Sequence, residues 1–117
     1  MRSPGIHHVS INVHDTAEAV EFYTDVLGMT VRTDRPNFDF AGAWLDVGDH
    51  QVHLLELTVP DNVGQHFAIA VDDVDVAVAH ARERGVQVGD PTPVGSGRQA
   101  FLQDPSGNTI ELHQPGR

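Results

Sequence analysis

A chain of 117 residues, 39% of them apolar, is long enough for one domain with a modest core. Seven Lys and Arg residues against seventeen Asp and Glu residues give a formal net charge of −10, and such a surface repels phosphate backbones, so no nucleic-acid partner is expected. The chain has no cysteine for disulfides or thiolate metal sites and no apolar run of signal-peptide or membrane-span length, so we expect a cytoplasmic protein without a membrane partner.

The first half of the chain predicts a strand, a helix and three more strands. Residues 6–13 alternate between apolar and polar side chains, which is typical of a strand with one buried face. Asp15 is positioned to cap the following helix, and Gly28 is the kind of residue that ends one. The other strands are predicted at residues 29–33, 40–47 and 51–59.

The second half repeats this order after a short linker. Residues 60–64 are rich in Pro, Asp, Asn and Gly, a composition typical of a connection. A helix is predicted at residues 73–84, a loop at residues 90–97 and a hairpin turn at residues 104–108. The four strands of this half are predicted at residues 65–71, 86–88, 98–103 and 109–114.

Together these elements predict an α+β fold of two βαβββ modules. The modules are residues 5–59 and 65–114, and we expect them to form a single domain over residues 1–117, with a cupped mixed β-sheet and helices on its outer face. A module of this size buries too little apolar surface to be very stable alone. We therefore expect the modules to pack together or across a homodimer.

The two modules also correspond residue by residue. At a constant offset of 58, His8 of the first strand corresponds to His66. The last strands contain similar runs of Leu and Glu, which pair Glu56 with Glu111. Two imidazoles and two carboxylates in corresponding positions predict a site for a divalent metal such as Ni, Zn, Co, Mn or Fe. A carboxylate beside such an ion can take a proton from the carbon next to a carbonyl.

The predicted location of this site is the sheet face opposite the helix. Counted to Glu56 and Glu111, the last hairpin of the first module is two residues longer, and an even difference keeps both carboxylates on one face. The same count predicts that His7 and His53 lie on the opposite face. The possible substrate pocket is predicted to include Ser10, Asn12, Phe38, Trp44, Arg98, Phe101 and His113.

Four segments of the chain carry a resemblance to a known family. They are residues 6–13, 21–28, 66–73 and 101–111. They resemble the vicinal oxygen chelate superfamily, which includes glyoxalase I, the bleomycin-resistance proteins and the extradiol dioxygenases. The resemblance covers nearly the whole chain and is closest to glyoxalase-like members, although these motifs identify the superfamily far better than the individual member.

The resemblance implies a ligand set and a reaction. It places metal ligands at His8, Glu56, His66 and Glu111, with Glu111 and Glu56 as candidate catalytic bases and Glu111 favoured. The implied activity is a metal-dependent lyase or isomerase that acts next to a carbonyl of a small substrate through an enediolate. Asn12 stands where glutathione-using members often carry an Arg, so the use of a thiol co-substrate stays open.

Two alternatives remain open at this point. One is a non-catalytic, bleomycin-resistance-like protein that binds a small molecule, for which the acidic surface favours a cation. The other is an epimerase or dioxygenase of the same superfamily. Metal analysis of the purified protein would separate an enzyme from a binding protein. The substrate, the metal and the choice between a site within one chain and one shared across a dimer are not determined by the residues.

Overall fold

The computed structural model describes residues 1–116, and Arg117, the last residue of the predicted domain, lies outside the described part. The chain divides into two compact units, Met1–Asp61 and the residues from Asn62 onward. This division falls inside the predicted linker at residues 60–64.

The first unit is a four-stranded mixed sheet with one helix. Its strands are β1 (His8–Asn12), β2 (Thr30–Val31), β3 (Gly42–Val47) and β4 (His50–Leu55), and its helix α1 (Thr16–Glu21) continues as a π-helical turn over Phe22–Val26. The strand order is β1-β4-β3-β2, with β1 parallel to β4 and the other pairs antiparallel. The strands are shorter than predicted, and the predicted single helix is two helical segments.

The second unit repeats this arrangement. Its elements are β5 (Phe67–Ala70), α2 (Val74–Glu83), β6 (Thr92–Val94), β7 (Gly97–Gln103) and β8 (Thr109–Gln114). The strand order is β5-β8-β7-β6, with β5 parallel to β8. The predicted α+β fold class is therefore confirmed.

One predicted strand of the second unit is wrong. Residues 86–88 form no strand; only Val88 makes an isolated bridge, to Leu102. The edge strand β6 lies instead within the predicted loop at residues 90–97. Pro93 suggested a loop, but an edge strand can accommodate a residue without an N–H donor because its outer side makes no ladder hydrogen bonds.

In each unit the helix covers one face of the sheet. Helix α1 packs on β3 and β4, and α2 packs on β7 and β8. The predicted N-cap is confirmed: the Asp15 side chain accepts from the Glu18 N–H (2.9 Å). Asp73 caps α2 in the same way, accepting from the N–H groups of Asp75 and Val76. The largest fully buried side chains are Val13, Tyr23, Leu45, Val52, Leu54, Val74 and Ile110. In each unit the other face of the sheet is not covered by that unit's helix, and we call it the open face.

Candidate metal and ligand site

The strand register determines which side chains share the open face of each sheet. Residues that pair directly across two strands point to the same side. In the first unit Ser10 of β1 pairs with His53 of β4, and in the second unit Ala68 of β5 pairs with Glu111 of β8. Ala68 lies 58 positions after Ser10, and Glu111 lies 58 positions after His53. His53 is therefore the structural equivalent of Glu111.

The prediction that Glu56 lies on the open face is wrong. Its carboxylate Oε1 accepts hydrogen bonds from the Thr16 N–H (2.9 Å) and the Thr16 hydroxyl (3.2 Å), at the start of α1. The equivalent of Glu56 in the second unit is Gln114, whose Oε1 accepts from the Val74 N–H (2.8 Å) at the start of α2. Each unit thus uses the end of its last strand to satisfy a free N–H of its helix.

The error arose from the length of the last hairpin. The paired residues Leu45 and Val52 are seven positions apart, whereas their equivalents Leu102 and Ile110 are eight apart. The hairpin of the second unit is therefore one residue longer. Because successive side chains of a strand point to opposite faces, an odd difference in hairpin length moves a side chain to the other face of the sheet, whereas an even difference would not. This places His53, predicted on the opposite face, beside His8.

The first unit brings two candidate donors together on its open face. The His8 and His53 rings stack with centroids 3.9 Å apart, and Trp44 stacks on the other side of His53 at 4.3 Å. His53 is only 6% exposed. Burial lowers its pKa, and the nearby His8 contributes further in the same direction. A lowered pKa favours the neutral imidazole, the form that binds metals.

The second unit holds an imidazole and a carboxylate in contact. His66 Nε2 lies 3.1 Å from Glu111 Oε1, and His113 Nδ1 lies 2.8 Å from Glu111 Oε2. Glu111 is buried, 8% exposed. The Gly64 carbonyl, 3.0 Å from His66 Nδ1, can only accept, so Nδ1 carries a proton and Nε2 is the nitrogen directed at Glu111. The hydrogen bond to Gly64 raises the pKa of His66, and the hydrogen bond to Glu111 raises it further by a smaller amount.

These donors occur as one pair in each unit. Within residues 1–116 no three His, Asp or Glu side chains stand together as a metal-binding group. The donors in each pair are nevertheless of kinds that bind first-row divalent ions, since Zn²⁺, Ni²⁺, Co²⁺, Mn²⁺ and Fe²⁺ accept imidazole and carboxylate ligands. The Gly64 contact of His66 is the kind of outer hydrogen bond that orients a metal-binding imidazole.

A concave pocket of about 340 Å³ lies against the first donor pair. It includes Ser10, Phe38 and Trp44 from the predicted pocket, and also His7, which was predicted to face away. The pocket is lined by His7, His8, Ser10, Arg35, Phe38, Phe40, Trp44, His53, Leu54 and Leu55. Arg35 and His53 had not been selected from the sequence. The constant offset of 58, carried through to β4, would have found His53, but no local signal marks Arg35.

The remaining predicted pocket residues lie in three places. Asn12, at the end of β1, donates to the Thr58 carbonyl (2.7 Å). Phe101 and His113 lie on the open face of the second unit, where the Phe101 ring meets His66 edge-on at 5.4 Å. Arg98 pairs with Gln114 across the sheet and forms two hydrogen bonds to Asp75 of α2, so its predicted place in the pocket is wrong.

Comparison with known proteins decides the family. The family model for the Glyoxalase/Bleomycin resistance protein/Dioxygenase superfamily matches residues 5–112. The chain belongs to this superfamily. The resemblance inferred from the four sequence segments is thereby confirmed. Within residues 1–116, no helix of this superfamily member combines the length and apolarity needed to cross a membrane.

Relatives within the superfamily carry different names. A probable lactoylglutathione lyase from Vibrio cholerae is 34% identical over 97% of this chain and 93% of its own length. The crystal structure of TnmS3, an antibiotic binding protein from Streptomyces sp. CB03234, is 30% identical, with a TM-score of 0.86 over 99% of both chains.

Some relatives are much longer than this chain. It spans 35% to 44% of the length of three plant relatives, among them a lactoylglutathione lyase from Arabidopsis thaliana that is 36% identical over 93% of this chain.

Proposed function

We propose that the protein is a divalent-metal-dependent lyase or isomerase of glyoxalase type, which moves a proton next to a carbonyl of a small substrate. The observation that carries this proposal is the strand register. It brings His8 beside His53 and His66 beside Glu111, at corresponding positions of the two units. The relatives named as lactoylglutathione lyases support the same class of reaction.

In this proposal the two donor pairs bind one ion. His8, His53 and His66 supply imidazole nitrogens, and Glu111 supplies a carboxylate oxygen. The pairs come from one chain or from two chains of a homodimer, a state that stays a prediction, as does the cytoplasmic location. When bound, the divalent ion polarises the carbonyl of the substrate and lowers the energy of the negative charge that develops on its oxygen.

Glu111 is the proposed catalytic base. It is the one carboxylate among the four donors, and it is nearly buried, which limits its hydration. His113 Nδ1, 2.8 Å from Glu111 Oε2, holds the carboxylate in a fixed orientation. Glu56 is not assigned a catalytic role, because its carboxylate is hydrogen-bonded to Thr16 at the start of α1.

The test is turnover after metal reconstitution. The protein is loaded separately with Ni²⁺, Zn²⁺, Co²⁺, Mn²⁺ and Fe²⁺ and assayed with 2-oxoaldehydes alone and as hemithioacetals of glutathione and of other thiols. We expect metal-dependent isomerisation that Glu111→Gln lowers by about 10²-fold or more, because a proton-transfer group is lost. Glu56→Gln is the matched control and should retain activity. No turnover with any loaded metal, or full activity of Glu111→Gln, would contradict the proposal.

A second candidate function has its own support. The pocket of the first unit is lined largely by aromatic rings, and TnmS3, the antibiotic binding protein, covers the whole chain at 30% identity. A protein that binds a small molecule without converting it would also need such a pocket. Tight ligand binding without turnover by any metal-loaded form would favour this function over the enzyme.

A further inference from the structure

The pocket of the first unit is walled by a continuous row of rings. Successive centroid distances along the row are 5.4 Å from Phe40 to Phe38, 6.3 Å from Phe38 to Trp44, 4.3 Å from Trp44 to His53 and 3.9 Å from His53 to His8. Phe38 remains 46% exposed, which is unusual for a large apolar ring. A row of ring surfaces of this kind favours a flat, apolar ligand.

The same pocket contains a cation, the guanidinium of Arg35. The Arg35 guanidinium lies 4.9 Å from the centre of the Phe38 ring and 5.6 Å from that of Phe40, and one of its nitrogens donates to the Phe40 carbonyl (2.8 Å). Its neighbour Asp34 is already bound to Arg32 through two hydrogen bonds, of 2.8 and 2.9 Å. Within residues 1–116 Arg35 forms no ion pair.

The Arg35 guanidinium lies close to the backbone of Gly42. A Cβ at Gly42 would collide with the Leu54 carbonyl and would also stand 3.1 Å from an Arg35 nitrogen. The two phenylalanine rings and the Phe40 carbonyl hold the rest of the side chain. Arg35 is therefore an oriented charge that retains donors for a further acceptor, since a guanidinium has five N–H groups.

We infer that this pocket binds a small planar aromatic anion, with its ring against Phe38 and Trp44 and its carboxylate or similar oxyanion paired with Arg35. This inference rests on the proposed function in that the anion is taken to be part of the substrate. A volume of about 340 Å³ accommodates one or two fused rings. The net charge of −10 by itself would favour a cation, but the local charge in this pocket is the positive charge of Arg35.

The experiment uses the metal-free, full-length protein at about pH 8, where an ordinary imidazole is neutral and does not attract anions. Calorimetry measures the binding of 2-naphthoate, of neutral 2-naphthylmethanol, of cationic 2-naphthylmethylammonium and of non-planar cyclohexanecarboxylate. The chain has a single Trp, so the NMR signal of the Trp44 indole N–H reports whether a ligand occupies this pocket. We expect 2-naphthoate to bind about tenfold or more tightly than each of the others and to shift the indole signal.

Variants then assign the preference to Arg35. Arg35→Gln should remove the advantage of 2-naphthoate over 2-naphthylmethanol, and Arg35→Lys should retain part of it, because the charge remains and the planar fork is lost. Arg2→Gln changes the net charge equally outside the pocket and should leave the advantage intact. If Arg35→Gln does not fold, the comparison of the four ligands in the wild-type protein still shows whether the pocket prefers a planar aromatic anion.

Two results would overturn the inference: equal or weaker binding of 2-naphthoate than of the neutral or cationic analogue, or binding that leaves the Trp44 indole unshifted. These results are distinct from failure of the proposed function. Metal-dependent turnover combined with no preference for 2-naphthoate would refute only the ligand class. A preference for 2-naphthoate combined with no turnover would refute the enzyme and support the inferred pocket.

Discussion

At the scale of single residues, the same type of side chain serves different purposes at similar sequence positions. Glu56 follows Leu55 at the end of β4 and Glu111 follows Ile110 within β8. Glu56 nevertheless binds the start of a helix, whereas Glu111 faces the open side of a sheet. The true equivalent of Glu56 is the neutral Gln114, which accepts the same hydrogen bond at Val74. Accepting an N–H needs only an oxygen, so charge is not required at Glu56.

A substitution series at Glu56 tests this role. Glu56→Gln should leave the free energy of unfolding nearly unchanged, because the amide oxygen can accept from Thr16 as Gln114 does from Val74. Glu56→Ala should lower it by about 1 kcal/mol through loss of that acceptor. Urea denaturation followed by circular dichroism measures both. Equal losses in the two variants would show that the charge, rather than the hydrogen bond, is what stabilises the helix.

The pairing of Arg98 with Asp75 gives a pH-dependent prediction. Hydrogen bonding to Arg98 lowers the pKa of the Asp75 carboxyl below its ordinary value. The stabilisation by this pair is therefore present above the unfolded pKa of about 3.9 and is lost as the pH falls through the lower, folded pKa.

Arg98→Gln should return the pKa of Asp75 toward its ordinary value and remove that contribution. An NMR titration of the side-chain carboxyl carbon measures the shift, and Arg2→Gln serves as the control with the same charge change. A pKa of Asp75 that is the same with and without Arg98 would contradict the assignment.

At the scale of elements, the two last hairpins differ in how they turn. The first unit joins β3 and β4 through Gly48 and Asp49, whereas the second joins β7 and β8 through residues 104–108. The longer turn is organised by Asp104, whose Oδ1 accepts from the N–H groups of Ser106 and Asn108. The alternation of strand residues is readable from the sequence, but a count to Glu56 and Glu111 hides the odd difference between the hairpins, and that difference decides which face each donor occupies.

Alanine substitutions should separate the two turns. Asp104 is buried, 5% exposed, so Asp104→Ala leaves two N–H groups without their acceptor and should cost about 2–3 kcal/mol of stability. Asp49 is exposed, and Asp49→Ala should change stability by less than about 0.5 kcal/mol. Thermal and urea unfolding of the two variants make the comparison. Similar losses in both would mean that Asp104 is not what organises its turn.

At the scale of the whole molecule, the internal repeat accounts for most of what the sequence could predict. Matching βαβββ patterns predict the two units, and the N-cap at Asp15 and the bounds of β8 follow from local residue chemistry. The long-range register of the parallel pairs β1–β4 and β5–β8 is not encoded by any local motif, and only the offset of 58 between the units marks His53 in the sequence. The place of Arg35 depends on how a loop folds over a sheet, which residue periodicity does not describe.

The central proposal is that His53, rather than Glu56, supplies a metal ligand together with His8, His66 and Glu111, from one chain or from two. The most direct test is titration of the metal-free protein with Co²⁺, followed by its visible absorption. His53→Phe keeps a ring between His8 and Trp44 but removes both nitrogens, and it should weaken Co²⁺ binding by about a hundredfold or more. Glu56→Gln should bind Co²⁺ as the wild-type protein does. Unchanged binding by folded His53→Phe, or loss of binding in Glu56→Gln, would contradict the claim.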